Sequence, residues 1–223
     1  MTAVVHPLAS PRRAASRGAT WWARAWARAV EEAAYDDREL AAGRSLARSG
    51  NVGAITTDAG RFVADVHDGA GTWRVTGGLP VLAEEERETL VESVAAGSGR
   101  IAALLAGDLP HDLVEHAEEA GVELLPYGSE LATSCTCRAW VDPCEHALAV
   151  LVQLTWLLET DPLVLLHLRG LPREELLSRL HAERVTTPGE ADDDLDVAVD
   201  AALRAAAVLR AVDTDQGRVE HLL

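Results

Sequence analysis

Ser134-Cys135-Thr136-Cys137-Arg138-Ala139-Trp140-Val141-Asp142-Pro143-Cys144-Glu145-His146 is the stretch on which the reading of this chain turns. All three cysteines of the 223 residues lie in it, and a histidine closes the set as Cys-x-Cys-x6-Cys-x-His. Three thiolates and one imidazole fill a tetrahedral Zn²⁺ shell and leave no position for water. One structural Zn²⁺ on Cys135, Cys137, Cys144 and His146 is therefore expected. Three clustered cysteines cannot build a complete disulfide framework, and their grouping points to metal in a reducing compartment. Cys135 and Cys137, two apart in extended backbone, project to the same side. Asp142, Pro143 and Glu145 have the order of an N-cap, a first helical residue and a capping partner. That order predicts Cys144 in a first helical turn, where exposed N–H groups favour thiolate. His146 then lies about 200° further round an ideal helix. It shares an ion with Cys144 only if the ion sits at the helix end.

Downstream, Ala147, Leu148, Val150, Leu151, Leu154, Leu157 and Leu158 make a helix apolar nearly all round. Such a helix is buried, so the finger is expected to be fused to a core. Asp161-Pro162 opens a short helix ending at Gly170, and Pro172 restarts another through about Arg184. Residues 185–194 have the composition of an acidic linker, and 195–223 that of a C-terminal helix and tail.

Upstream, residues 1–19 lack periodicity and acids and read as a disordered basic arm. Residues 20–130 read as a helical region carrying a small β-meander, and 131–184 as the zinc finger with its following helices. Thr20 is the expected N-cap of a helix with Trp22, Trp26, Ala29, Val30 and Ala33 on one face. Tryptophans at that spacing fit core packing better than a base-stacking platform. A second helix runs from about Asp37 to Ser49 and ends at Gly50-Asn51. Arg44 and Arg48 share one of its faces and are the candidate contacts to a nucleic acid or partner. Alternating residues and Gly-containing turns over about 52–76 predict three short antiparallel strands. A helix from about Ala83 to Ala106, broken at 97–99, and a shorter one to Ala120 complete the region. His111, Glu115 and His116 miss the spacing of an inverted zinc-protease motif by one residue. The fold class expected is thus α+β: a mainly helical body, a small three-stranded antiparallel sheet and an embedded finger.

The net charge of −16 disfavours general nucleic-acid binding, which relies on cations neutralising phosphate. The first fifty residues carry eight Arg against five acids, or +3; the remainder carries twelve against thirty-one, or −19. Phosphate contact, if made, would use Arg12, Arg13, Arg17, Arg44 and Arg48. No apolar run reaches the ~18 residues of a membrane span. Arg12-Arg13 is followed by no apolar export signal. A cytoplasmic chain without membrane contact is expected.

Cys135-x-Cys137…Cys144-x-His146 resembles the SWIM zinc finger. More of the chain is similar to bacterial SWIM proteins typical of actinobacteria. The matching pieces are Thr20-Trp21-Trp22 with Trp26, Leu40-x-x-Gly43-Arg44-Ser45-x-Ala47-Arg48-Ser49-Gly50, and Leu104-Leu105-x-Gly107-x-Leu109-Pro110. Asp161-Pro162 and Leu168-Arg169-Gly170 follow. Leu46 stands where the family usually has an aromatic, and Glu145 where a lysine commonly precedes the histidine. The resemblance implies zinc-dependent binding of protein or DNA, with a SWI/SNF-type helicase as the partner class. The expectation is a non-enzymatic interaction module. Its alternatives are direct nucleic-acid binding through the arginines and a zinc- or thiol-dependent enzyme. A filled ligand set speaks against the last.

Overall fold

The computed structural model describes residues 3–12, 19–97, 99–186 and the positions 199, 201 and 204. In chain order the elements are β1 (Val4–His6), α1 (Trp21–Ala33), α2 (Asp37–Arg48), β2 (Ile55–Asp58), β3 (Arg61–His67) and β4 (Thr72–Gly78). Then come α3 (Glu84–Ala95), α4 (Arg100–Leu105), α5 (His111–Glu119), β5 (Ala132–Cys135), α6 (Glu145–Thr160), α7 (Leu163–Leu168) and α8 (Arg173–Thr186). Residues 185 and 186, read as the start of the acidic linker, belong to α8; the rest of the linker and most of the C-terminal helix and tail, like Arg13 and Arg17, lie outside the described residues.

The core is built around α6. His146 to Leu151, Gln153 to Trp156 and Leu158 are all buried, so this helix shows almost no face to water. The helices α1 and α2 pack along it, and β3, β4 and β5 meet it from the sheet. Three tryptophans of this core place their indole N–H groups on backbone carbonyls. Trp22 Nε1 donates to Leu158 O at 2.7 Å, Trp26 Nε1 to Leu151 O at 3.2 Å and Trp21 Nε1 to Leu109 O at 3.0 Å. A large ring enters the core without orphaning its polar atom. These rings are packing groups, not a stacking platform. Thr20 Oγ1 accepts from Ala23 N and starts α1, and Asp36 Oδ1 accepts from Glu39 N and starts α2. Gly50, at φ +75°, turns the chain out of α2. The break expected at 97–99 separates α3 from α4.

The sheet has five strands, all antiparallel, in the order β1-β2-β3-β4-β5. The expectation of three is corrected at both edges. Val4, Val5 and His6, within the stretch read as a disordered arm, pair with Thr57, Thr56 and Ile55. His6 Nε2 lies 3.0 Å from Thr57 Oγ1 and fixes this edge. The same segment is held further along: Arg12 N donates to Arg48 O, and the Arg12 guanidinium lies 4.3 Å over the Trp156 ring. Its three-residue strand is too short to display an alternation, and its contacts come from distant residues. At the other edge, Ala132–Cys135 pairs with Val75–Gly78 and carries the first cysteine into the sheet.

Gly43 lets α2 approach α6 closely. A Cβ there would stand 2.6 Å from Leu148 Cβ and 3.0 Å from Glu145 O. Gly43→Ala gains helix propensity of about 1 kcal/mol but forces two packed helices apart, a cost of roughly 1–3 kcal/mol. A net loss of stability is expected. Because α6 begins at the metal cluster, zinc affinity should fall with it. Chemical denaturation and zinc competition on the same variant check both.

Candidate metal centre

Two elements and one turn bring the four predicted ligands together. The strand β5 ends on Cys135, opposite Val75. Thr136 N donates to Arg74 O and Arg74 N to Thr136 Oγ1, so the strand's edge contacts continue past Cys135. The chain then bends at Thr136 and Cys137 instead of staying extended as the spacing suggested, and the bend sets Cys137 back over Cys135, whose sulfur accepts from Cys137 N at 3.5 Å. The loop then returns to α6. Cys144, φ −82° and ψ 172°, is the N-cap of that helix, and His146 is its second residue.

The expected cap is thereby corrected by two positions. Asp142 does not cap α6; its Oδ1 accepts from Thr133 Oγ1 at 2.6 Å and ties the loop to β5. The Asp142–Pro143 peptide is cis. Starting the helix at Glu145 solves the problem of angle, because Cys144 and His146 both point off the helix end. Cys144 Sγ lies 3.9 Å from His146 Nδ1, and Cys137 Sγ 3.5 Å from Cys144 Sγ. The donor atoms of Cys135, Cys137, Cys144 and His146 all lie within 4.8 Å of one another. Ligands about 2.0–2.3 Å from one tetrahedral ion stand roughly 3.5–3.8 Å apart. The cluster fits a single structural zinc ion.

The electrostatics call for a cation. Burial pushes the Cys135 thiol up to about 12, against the Cys137 amide, which favours the thiolate. Burial likewise raises Cys144, although the amides of Ala147 and His146 at the start of α6 pull the other way. Only Cys137 is lowered: burial raises it, but the Ala139 amide and His146 outweigh that. Three thiolates this close repel one another, and a bound dication reverses that preference.

One functional residue went unread in the sequence. Asp68, in the β3–β4 turn, places Oδ2 2.9 Å from His146 Nε2. A neutral imidazole donating from Nε2 to a carboxylate keeps Nδ1 free as a metal ligand. Burial works against the His146 cation, but the Asp68 bond and Cys137 raise its pKa overall. Conversely, the His146 bond, with the Ala70 and Gly71 amides, holds the Asp68 carboxyl far below the usual carboxylate range. The Trp73 ring, 5.7 Å from the imidazole, covers the same side. Asp68 sits 78 residues from His146, so no spacing rule links them. Its Asp-Gly-Ala-Gly setting signalled only a turn. Asp68→Asn keeps an oxygen for the amides of Ala70 and Gly71, which both donate to Oδ1 at 2.8 Å. It is expected to preserve the turn and weaken zinc binding by about 10–100-fold, read by competition with a chromophoric chelator.

The other sequence candidates are not brought to this centre. Arg44 Nη2 donates to Glu31 Oε1 at 2.5 Å on the exposed side of α2. The Arg48 carbonyl receives the Arg12 amide, and the Arg48 side chain is half-buried. His111 pairs with Glu115 at 3.2 Å and lies against Trp21. Among the described residues, the groups able to hold a metal ion are the Cys₃His set and Asp68-Glu145-His146, which shares its histidine. No helix of the described residues is long and apolar enough to cross a membrane.

Comparison with known proteins agrees with this geometry. Residues 121–154 match the SWIM zinc finger, a range that contains all four donors. An uncharacterized protein of Mycobacterium tuberculosis, Rv2102, is 32% identical over 183 residues, 80% of this chain. That alignment covers 66% of the mycobacterial protein, slightly less than two thirds of its length. No solved structure matches the chain.

Proposed function

We propose that this chain is a non-enzymatic interaction module whose single zinc, held by Cys135, Cys137, Cys144 and His146, is structural. We propose further that it binds a protein partner in a DNA-related process, and that the partner class is the SWI/SNF-type helicase to which the resemblance points. The observation that carries the first statement is a complete Cys₃His donor set at the start of the central helix α6. A catalytic zinc keeps an open coordination position, and a nucleophilic cysteine needs a thiolate beside a free base. Here every thiol and the histidine are committed to one cluster. The metal joins β5, the loop and α6, and so holds a surface in shape.

Protein is favoured over nucleic acid by charge. The chain carries −16, and phosphate would be repelled before contact. Of the arginines that could offset this, Arg44 is engaged by Glu31 and Arg12 covers Trp156. The thiols belong in a reducing compartment such as the cytoplasm.

The test has two arms. Native mass spectrometry should report one zinc per chain, lost to chelator, and partner capture should need that zinc. Mobility-shift titration with duplex and single-stranded DNA at two salt concentrations should give no complex. A complex whose affinity falls steeply with salt and is lost on Arg44→Ala plus Arg48→Ala would establish direct nucleic-acid binding in its place.

A further inference from the structure

We propose that the ring pair Trp140–Tyr35 is the docking site for a positively charged segment of the partner protein, with an arginine or lysine side chain seated against the aromatic faces. The proposal rests on the partner-binding function above. Trp140 is 82% exposed and Tyr35 60%, and their ring centroids lie 5.1 Å apart at 77°. Tryptophan is otherwise spent inside this protein. Trp22, Trp26 and Trp156 are at most 3% exposed, and Trp21 and Trp73 are half-buried. An indole left in water beside a phenol, when five others are covered, marks a contact made with something else.

The segments that carry the pair are anchored. Trp140 lies in the loop between Cys137 and Cys144, two of the four cluster residues, and the Thr133–Asp142 bond pins the loop's far side. Tyr35 sits in the short turn joining α1 to α2, just before the cap residue Asp36. A loop tied down before binding loses less entropy when a partner arrives. This also gives the zinc a purpose beyond stability, since it determines where Trp140 stands.

Charge selects the occupant. Aromatic faces attract cations, and exposed Asp36 and Asp37 follow Tyr35 directly in the chain, with exposed Glu32, whose carboxylate accepts from Gly128 N, three residues before it. Exposed Arg138 on the loop side and exposed Arg38 in the first turn of α2 are the opposing charges. The field of a −16 chain draws a cationic segment in and turns phosphate away.

The probe is a short alternating Arg-Gly peptide, titrated into the zinc-loaded chain while the indole N–H signals are followed by NMR. The Trp140 signal is the one missing from Trp140→Ala. It is expected to shift saturably, with affinity reduced about tenfold in Trp140→Ala and clearly lowered in Tyr35→Ala. Asp36→Asn with Asp37→Asn, which keeps a capping side chain at the α2 start, should also weaken binding. All these side chains are exposed, so unchanged zinc content and melting temperature confirm that the fold is intact. Equal affinity in Trp140→Ala overturns the site, since the peptide then follows overall charge alone. So does an oligothymidylate that moves the Trp140 signal in place of the peptide, or self-association abolished by Trp140→Ala. The two proposals fail separately. A protein captured in a zinc-dependent way by both parent chain and Trp140→Ala overturns this docking site alone. Absence of zinc-dependent capture by either overturns the proposed function.

Discussion

A Cys144→Ser chain is expected to carry no zinc at neutral pH and to lose its cooperative unfolding transition. Cys144 is 2% exposed and caps α6, and that helix packs on α1, α2 and three strands of the sheet. A serine hydroxyl in its place stays protonated and donates weakly to zinc, whose structural sites use thiolate and imidazole. Structural zinc contributes about 10–16 kcal/mol in small zinc peptides, while a whole domain holds roughly 5–15 kcal/mol in reserve. The loss is thus of the same order as the fold's entire stability. Even a fraction of it frees the 135–146 loop and frays the first turns of α6. Native mass spectrometry and circular-dichroism melting read the two effects on one sample. Chelator added to the parent chain should reproduce them. A serine variant with one zinc and the parental melting temperature would show that the ion is held without Cys144.

Replacement of Arg169 by alanine is expected to destabilise the fold by about 3–5 kcal/mol, the cost of stripping one partner from a buried charge pair. Its guanidinium is 2% exposed. Nε donates to Leu124 O and Nη1 to Pro80 O, both at 2.9 Å, while Nη1 and Nη2 reach the two Glu130 oxygens at 3.1 and 3.3 Å. Its backbone carbonyl receives Leu82 N, and the carbonyl before it receives Gly60 N. Arg169 thus joins the exit of β4 to the segment leading into β5, and its neighbour Leu168 holds the β2–β3 turn. Lysine cannot reproduce a planar fork, so Arg169→Lys should recover little. Burial raises the Glu130 carboxyl, but the Arg169 bond, the Tyr127 amide and the Arg169 charge together bring it below its ordinary value. A depressed folded pKa gives stability that is present above the unfolded carboxyl pKa, near 4.3–4.5, and lost as pH falls through the folded one. Urea midpoints from pH 7 down to 3 should therefore fall in the parent and fall less in Arg169→Ala. Equal slopes would remove this pair from the acid sensitivity. Zinc content at pH 7 should remain one per chain in both.

Local chemistry made much of this molecule legible. Thr20 announced its helix by capping, the tryptophan spacing identified the buried face of α1, and the apolar surround of α6 marked it as buried. The four donors were readable because they sit within twelve residues of one another, so spacing alone implied proximity. Long-range pairing was not readable. The strand Val4–His6 is recognisable only once Ile55–Thr57 lies beside it. Asp68 becomes an orienting group only when the β3–β4 turn is folded over His146. Asp142 looked like a cap because Pro143 and Glu145 follow it in the usual order. The Thr133 hydroxyl on the adjacent strand claims its carboxyl instead. Arg169 was noticed within a motif, but its role depends on Pro80, Leu124 and Glu130, each far away in the chain.

Placing the central helix so late in the chain has a consequence for synthesis. A ribosome makes α1, α2 and the first four strands well before Leu148, Leu151 and Leu154 leave the exit tunnel. Until then Trp22, Trp26 and Ala47 have nothing to close against, because their burial depends on α6. Growing chains from which α6 has not yet emerged therefore expose the surfaces that attract chaperones and promote clumping. Completion of α6 is the event that ends this exposure, and the metal cluster emerges at its leading end. Zinc supply during translation thus bears on how much protein matures, as well as on how stable it is afterwards.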